Sequence, residues 1–440
     1  MGKLLLLMTI FSAASSAIVR PWTGIVSYYL LAILGPQYIW WWNFDGLRVS
    51  FWIAISTLLG ITLKLLKAEL DFTFLRTTLN AWLFFLWVCL VMSYLLGPYV
   101  NLYISNGLKP DTIFSITNNI FLFYFCSTLV VSDLKSLRYL GTVFVCVTVY
   151  LIYWANNQYF TQNWNQFYMG RLMGPRSVDG SSLYSDENVF AMLFVAGIPF
   201  LYYLSFELRR RWQRYILWCV IPLGWHAVFL TGSRGGLLGL GLITVLTVLK
   251  SKRKLMVVPL VVVFVLAYQL QAGNTMKQRG EMISQYQGEG SAEMRIAAWK
   301  GGWSMICTHP LTGVGLGSFI TALPRFYDTN PRVAHNTLIQ YTAESGLGAG
   351  LSYLMILCCF FLGSRRVGAW CNDNREGADT SLIRSLNNAS TVSFAGLAVC
   401  SLFLSLTIYE IFFFLLIFNN TLERHCLRGA RPVNAEALTC

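Results

Sequence analysis

The sequence predicts an all-α, polytopic integral membrane protein, and three observations support this fold class. The chain is 55% hydrophobic and only 12% charged, whereas about 25% of the residues in a soluble domain are charged. Its mean hydropathy is +0.54. Apolar runs of about 17–25 residues recur along the chain, and a helix needs roughly 20 such residues to cross a bilayer. Long uninterrupted runs fit helices better than the alternating strands of a barrel.

The apolar runs predict about 12 transmembrane helices, which form a single domain over residues 1–440. The first run could instead be a hairpin partner, and residues 1–17 also resemble a signal peptide because Lys3 precedes an apolar stretch with small residues after it. The last two runs could form one long broken helix. The predicted spans are 3–18, 22–39, 49–66, 80–98, 113–132, 138–156, 187–206, 214–231, 235–250, 255–271, 340–363, 389–407 and 409–420.

Dense basic clusters beside the apolar runs predict the orientation. They lie at residues 209–214, 250–254, 365–366 and 424–431, and such clusters mark cytoplasmic ends. Alternation then puts a smaller loop, 157–186, and a large loop, 272–339, on the opposite side. In a multi-pass protein of the bacterial inner membrane, that side is the periplasm. The tryptophans at 40–42 would lie in the interfacial belt on the same side.

The net charge of +13 is only partly explained by those clusters. Further basic residues lie on the outer side, where topology gives no reason to collect them, and they indicate an anionic ligand. Because the positive charge is divided between two membrane faces and no nucleic-acid fold pattern occurs, nucleic acid is not expected as a partner. The outer set is Arg171, Arg176, Arg234, Lys277, Arg279, Arg295, Lys300, Arg325 and Arg332.

The cysteines and acidic residues predict neither a metal site nor a cofactor. Most of the 11 cysteines lie in apolar runs, where cysteine acts as a small hydrophobe. The sequence contains no CxxC, HExxH or Asp-x-Asp pattern. The sequence therefore favours a metal-independent reaction at any catalytic site in this chain.

The two outer loops differ in what they offer. In the smaller loop, Asp186 and Glu187 precede an apolar run and are best explained as a helix cap and a dipole partner. In the large loop, residues 291–306 predict an amphipathic helix along the membrane surface, with Arg295 and Trp299 on it. The large loop is expected to carry part of the active site.

Arg234 lies where one apolar run ends and the next begins. The sequence Ser233-Arg234-Gly235-Gly236 predicts a turn near the outer face, with the backbone amides of the following helix exposed. A helix N-terminus beside an arginine favours an anion. The alternative is an arginine that extends to the lipid headgroups. The two glycines favour the ligand interpretation, because they would let a bulky group approach the backbone.

Arg295 and His335 suggest a functional site only when they are taken together with Arg234. Taken singly, each has an ordinary explanation as a surface arginine or an interfacial histidine. Two guanidinium groups together can bind a diphosphate through charge-assisted hydrogen bonds. An imidazole, with an ordinary pKa of about 6.5, can accept a proton from a hydroxyl.

Several other motifs have plainer explanations. The glycines at 313, 315 and 317 resemble part of a dinucleotide fingerprint, but without a surrounding α/β unit they predict a turn. His226 is expected to be a packed polar residue, and His309 to lie in a loop turn. Glu410 either faces the bundle interior or marks an outer turn, and the turn is preferred.

The order of these short motifs resembles the O-antigen ligase and polymerase superfamily. The motifs are residues 232–236 at the head of an apolar helix, Arg295 with Trp299, residues 309–315, His335-Asn336 and residues 344–348. They cover about residues 187–363. The opening segment around Arg20-Pro21 is also similar to the O-glycosylation ligases associated with exosortase systems.

The resemblance implies a glycosyltransferase that takes a glycan from undecaprenyl pyrophosphate and transfers it to a periplasmic acceptor. By position, Arg234 and Arg295 correspond to the family's essential arginines and His335 to its essential histidine. The compact chain with one dominant outer loop favours an O-antigen ligase of lipopolysaccharide biosynthesis, with lipid A-core as acceptor and an inverting displacement. Weaker candidates for substrate contact are Arg171, Arg176, Lys300, Arg332 and Asn336.

Alternatives remain open at this stage. An O-antigen polymerase or a protein O-oligosaccharyltransferase would use the same donor. A transporter or flippase of an anionic lipid-linked substrate would also put arginines in a membrane protein. Internal duplication with broken helices near the membrane midplane would favour the transporter, and the sequence shows neither clearly.

Overall fold

The computed structural model confirms an all-α membrane protein. It describes residues 2–44, 49–102, 108–176, 184, 186–250, 290–375, 377 and 379–429, with a few positions between 259 and 266. The predicted span at 255–271 and residues 272–289 of the large loop therefore lie outside the described residues, apart from those few positions.

In the N-terminal half, helices follow one another with short connections. They are α1 (Gly2–Val19), α2 (Pro21–Leu34), α3 (Pro36–Ile39), α4 (Trp41–Phe44), α5 (Val49–Leu66), α6 (Thr78–Leu96), α7 (Pro110–Val130) and α8 (Leu134–Phe160). In the smaller loop, β1 (Phe167–Tyr168) and β2 (Arg171–Leu172) form an antiparallel hairpin.

The C-terminal half contains longer helices and the two helices of the large loop. They are α9 (Glu187–Leu204), α10 (Arg211–Thr231), α11 (Arg234–Lys250), α12 (Gly290–Thr308), α13 (Phe319–Phe326), α14 (Thr337–Asp373), α15 (Thr380–Cys400) and α16 (Glu410–Gly429). The last two predicted runs are therefore separate helices rather than one broken helix, and Glu410 directly follows the turn between them.

Seven of the described helices are long and apolar enough to cross a membrane, namely α5 to α10 and α14. The other predicted spans correspond to α1, α2, α11, α15 and α16. Side-chain caps fix several helix starts. Thr77 accepts a hydrogen bond from the Asn80 amide, and Asp133 accepts one from the Ser136 amide, so orphan amides of the first turn are satisfied locally.

Helix α9 is the centre of the bundle. Its residues from Phe190 to Leu201 are buried, because α8, α10, α11 and α15 all pack around it. The approach is close. A Cβ on Gly197 would lie 2.3 Å from the Thr148 hydroxyl oxygen, and the Ser393 hydroxyl donates to the Ala196 carbonyl at 2.5 Å. This packing explains why α9 is apolar on every side.

Polar contacts group the basic clusters at one end of the bundle. The Arg214 guanidinium donates to the Ser205 carbonyl at 3.2 Å, and the Lys250 ammonium donates to the Asn388 side chain at 3.3 Å. Arg366 pairs with Glu423 at 2.6 Å. We call this the basic end. Residues 233–236, 310–319 and 334–346 lie at the opposite end, which we call the site end.

Helix α14 contains a break that the sequence analysis did not predict. The predicted span was 340–363, but the helix begins at Thr337, and Ser345 and Gly346 depart from helical geometry inside it. Gly346 has φ 82° and ψ 174°, a combination essentially restricted to glycine. The Leu347 amide bonds to the Pro310 carbonyl at 2.8 Å instead of a carbonyl of its own helix.

The turn at 313–317 fills that break. The Val314 amide donates to the Ala343 carbonyl at 2.9 Å, and the Gly315 amide donates to the Glu344 carbonyl at 3.0 Å. Gly313, Gly315 and Gly317 all have positive φ, so the turn prediction for this glycine motif is confirmed. Non-helical backbone is tolerated here because the protein itself pairs its polar groups.

Candidate active site

His335 lies in a tight segment directly before α14. Its backbone has φ 49°, in the left-handed region that non-glycine residues seldom adopt. Two hydrogen bonds made by the preceding residue, Ala334, hold this geometry in place. The Ala334 amide donates to Gln340 Oε1 at 3.0 Å, and the Ala334 carbonyl accepts from Trp299 Nε1 at 2.9 Å. Strained residues of this kind persist only where the surroundings hold them in place.

Asn336 and Thr337 anchor the same segment to the turn between α15 and α16. Asn336 is the N-cap of α14, and its side-chain oxygen accepts from the Ile339 amide at 3.1 Å. Its amide nitrogen donates to the Leu402 carbonyl at 3.2 Å. The Thr337 hydroxyl donates to the Leu404 carbonyl at 2.7 Å and accepts from the Leu406 amide at 2.9 Å. Both polar groups of the Asn336 side chain therefore bind backbone groups, of Ile339 and of Leu402.

Charges around His335 favour its neutral form. Burial lowers the pKa of the imidazole from its ordinary value, and the nearby positive charges of Arg295 and Arg332 lower it further. The negative charge of Asp186 opposes them and raises the pKa. Coulombic shifts of this kind need charges that lie close together. Asp186, Arg295 and Arg332 therefore belong to the surroundings of His335, and a neutral imidazole at pH 7 can accept a proton.

Arg234 is the first residue of α11, as predicted. Gly232 adopts a left-handed conformation at the end of α10, and the Ser233 hydroxyl caps α11 by accepting from the Gly236 amide at 3.0 Å. The same hydroxyl donates to Asn188 Oδ1 at 2.7 Å in the first turn of α9. The positive helix end at Arg234 therefore lies beside the α9 cap that contains Asp186.

The glycines after Arg234 have a structural role that differs from the expected one. A Cβ on Gly236 would lie 2.7 Å from the Ala191 Cβ, so this position is needed for close packing of α11 on α9. A Cβ on Gly235 would lie 3.6 Å from the Phe403 Cβ. The interpretation that Gly236 admits a ligand to the backbone is therefore wrong. Phe403 also places Arg234 next to the 401–409 turn that holds Asn336 and Thr337.

Arg295 and Trp299 lie on α12, which packs against α13 and α14. Arg295 is half-buried, and the Trp299 indole ties this helix to the His335 segment. The expected amphipathic pattern is clear only in α13, where Phe319 and Leu323 are buried and Arg325 is exposed. On α12, apolar side chains occur on both the buried and the exposed faces, as with Met305 and Trp303.

The remaining predicted substrate contacts have varied surroundings. Arg171 forms an ion pair with Glu187 in the first turn of α9, so a charge within the protein partly neutralises it. Arg176 is half-buried at the end of the described part of the smaller loop, and its buried Nε has no hydrogen-bond partner among the described residues. Lys300 is exposed on α12. The structure therefore groups Arg332, but not Lys300, with Arg295 and His335.

Comparison with known families points to the same part of the chain. Residues 219–354 match the family model described as O-antigen ligase. This part of the chain is similar to that family. The matched segment contains Arg234, Arg295 and His335, the turn at 313–317 and the break in α14. A search of curated proteins found no match.

Sequence reasoning missed a buried polar network in the matched segment. Gln340 Oε1 accepts from both the Ala334 amide and the Ser405 hydroxyl, each at 3.0 Å, while Gln340 Nε2 donates to Glu344 Oε1 at 2.5 Å. Glu344 Oε1 also accepts from the Phe319 amide at 3.2 Å. A Gln and a Glu four residues apart in an apolar helix were the available signal. The network fixes the His335 segment relative to the 313–319 turn.

The chemistry open to this segment follows from its charges. Two arginines can hold a diphosphate, and the neutral His335 imidazole, which lies near Arg295 and Arg332, can take a proton. Among the described residues, no group of three or more His, Cys, Asp and Glu side chains could hold a metal ion.

Proposed function

We propose that this protein is an O-antigen ligase that transfers a glycan from undecaprenyl pyrophosphate to lipid A-core during lipopolysaccharide assembly. The supporting observation is that, within the family-matched segment, the half-buried His335 imidazole lies close to the positive charges of Arg295 and Arg332. In this proposal the chain has about 12 spans in the bacterial inner membrane, and loops 157–186 and 272–339 face the periplasm.

The proposed reaction is a single inverting displacement. The acceptor hydroxyl attacks the anomeric carbon of the donor, and its proton passes to the His335 imidazole. The bond between that carbon and the pyrophosphate oxygen breaks as the new glycosidic bond forms. Arg234 and Arg295 stabilise the charge on the departing pyrophosphate, so no metal is required. Arg332 raises the local positive potential, and Asn336 holds the backbone before α14.

The other basic residues would act further from the reacting atoms. Arg176, with its unpartnered buried Nε, suits contact with a phosphate or glycan near the donor. Lys300, which is exposed on α12, suits contact with phosphates of the acceptor. Arg171 would contribute mainly by holding β2 against α9 through Glu187.

The test is reconstitution of the purified chain in lipid vesicles with lipid-linked glycan, with and without lipid A-core, in the presence of a chelator. A ligase joins the glycan only to added core. Longer lipid-linked chains without core would identify a polymerase instead, and donor movement across the vesicle without joining would identify a flippase. Abolition of transfer by chelation of divalent metal would contradict the metal-independent mechanism.

A further inference from the structure

A cavity lined mainly by aliphatic side chains, with several polar side chains among them, lies at the site end beside the 401–409 turn. We call it the Glu410 cavity. Its volume is about 660 Å³, within the range of roughly 300–1,000 Å³ that small-ligand sites occupy. Helices α2 and α7, the start of α9 and residues 405–411 enclose it. The lining includes Tyr28, Asn119, Tyr184, Ser405, Tyr409 and Glu410.

Two buried polar atoms of this cavity have no hydrogen-bond partner among the described residues. They are Glu410 Oε1 and the Tyr409 hydroxyl. The Tyr28 hydroxyl engages the Glu410 carboxylate, and the Tyr184 hydroxyl donates to the Ile33 carbonyl at 2.6 Å. Both atoms are almost fully buried, so a ligand would reach this acceptor and this hydroxyl only after a small movement of the side chains that cover them. An apolar lipid tail would leave both unsatisfied, at about 1–3 kcal/mol each.

The described lining offers no cationic side chain to pair with the phosphate part of a donor. The described residues that line it include one carboxylate and no lysine or arginine. Hydroxyl groups of a sugar donate well to a carboxylate, and tyrosine rings offer flat apolar surface beside polar tips. The lining therefore suits a neutral saccharide.

The cavity is connected to His335 by a short chain of hydrogen bonds. Ser405 lines the cavity, and its hydroxyl donates to Gln340 Oε1 at 3.0 Å. The same oxygen accepts from the Ala334 amide, which precedes His335. A sugar held by Glu410 would thus lie next to the segment that positions the imidazole.

We propose that the Glu410 cavity is a saccharide subsite, in which the Glu410 carboxylate accepts hydrogen bonds from sugar hydroxyls and the Tyr409 hydroxyl completes the contact. This inference rests on the proposed function for its biological meaning, since either the donor glycan or the acceptor core could supply the sugar. It concerns binding, and it can be tested without turnover.

The experiment measures binding by calorimetry with the full chain in lipid nanodiscs. One probe is phosphate-free oligosaccharide released from the lipid-linked donor, and the other is dephosphorylated core oligosaccharide. At least one probe is expected to bind, and Glu410→Gln is expected to raise its Kd about tenfold, the loss of one charge-assisted hydrogen bond. Tyr409→Phe, which removes a single oxygen, is expected to raise the Kd about fivefold.

Tyr203→Phe is the matched control, because Tyr203 also has a buried hydroxyl but lies outside the cavity. It is expected to leave the Kd unchanged. Binding of only one probe assigns the subsite to donor or acceptor. Binding of neither probe, or equal binding by both variants and wild type, would overturn the proposal.

The outcomes separate this inference from the proposed function. If the wild-type protein binds saccharide but does not transfer glycan, the result would count against the proposed reaction alone. Intact transfer, with a Kd that neither Glu410→Gln nor Tyr409→Phe changes, would count against the subsite alone. A thermal unfolding scan of each variant checks that the fold is retained.

Discussion

At the scale of single residues, His335 combines a strained backbone with a tuned side chain. Its φ of 49° brings the β-carbon close to the following carbonyl oxygen, which normally costs about 1–2 kcal/mol of stability. Hydrogen bonds to Ala334 on one side and to Asn336 on the other maintain this conformation. Such strain at a residue with a perturbed pKa is typical of functional sites.

The strain gives a pair of variants that separates folding from chemistry. His335→Ala and His335→Gly both remove the imidazole, so both should abolish transfer. Glycine avoids the left-handed penalty of about 1–2 kcal/mol but costs about 0.5–1 kcal/mol of chain entropy. We therefore expect the glycine variant to be more stable by roughly 0.5–1 kcal/mol, measured by unfolding in detergent. Wild-type transfer rates in either variant would show that His335 is not the general base. His309→Ala is the control, since it removes a different histidine.

The charges around His335 predict the pH dependence of the reaction. Since the imidazole must be neutral to accept a proton and its pKa is lowered, activity should fall only below about pH 6.5, the ordinary value. Asp186→Asn removes a charge that raises the pKa, so the acid limb should move to lower pH. Asparagine keeps the helix cap. Arg332→Gln removes a charge that lowers the pKa, so the limb should move to higher pH.

The measurement is the pH profile of kcat/KM for each variant beside wild type. Opposite shifts support a titrating His335, because a merely structural effect would lower the rate at every pH. Shifts in the same direction, or an unchanged limb in both variants, would mean that another group controls the profile.

At the scale of elements, the break in α14 and the 313–317 turn act as one unit. A Cβ on Gly346 would lie 2.1 Å from the Leu311 carbonyl oxygen, and a Cβ on Gly313 would lie 2.2 Å from the Glu344 carbonyl carbon. Both glycines have positive φ. Neither position can accept a side chain without separating the turn from the helix.

Gly346→Ala and Gly313→Ala should therefore each destabilise the protein by roughly 2–4 kcal/mol. Gly241→Ala is the matched control, since a Cβ there meets nothing within 4 Å on α11 and alanine favours a helix by about 0.5–1 kcal/mol. Chemical unfolding of the purified variants tests the difference. Equal stability of Gly346→Ala and Gly241→Ala would contradict the docking of the turn in the break.

The elements were more predictable than the contacts between them. Hydropathy located helices such as α8 and α14 because span length is a local property, and Asp186 signalled the start of α9 because capping is local. The α14 break was not predictable, since Ser345 and Gly346 depart from the helix only because residues 310–315 supply the missing partners. The influence of Asp186 on His335 likewise depends on two helix starts that are distant in sequence.

At the scale of the whole molecule, the helices sort charged groups to opposite ends. The ion pair between Arg366 and Glu423 and the Lys250–Asn388 contact lie at the basic end. The capped start of α11 and the His335 segment lie at the site end. This separation agrees with the expected orientation, in which the basic end is cytoplasmic.

The separation predicts which cysteines a membrane-impermeant maleimide can reach. Cys307, exposed at the end of α12, should react in intact cells with a permeable outer membrane, and Cys307→Ser should remove that label. In the Cys307→Ser background, Arg210→Cys at the basic end should react only after the inner membrane is opened. Labelling of Arg210→Cys in sealed cells would reverse the proposed orientation.

The broken helix also bears on how the protein matures. A helix interrupted at Ser345 and Gly346 is completed only when another segment docks in the break, because its missing hydrogen bonds come from residues 310–315. The apolar half after Gly346 can enter the lipid on its own. The half that follows His335 gains its final geometry only once residues 310–315 have docked, so the reactive segment would form with this docking step rather than with the insertion of the apolar half.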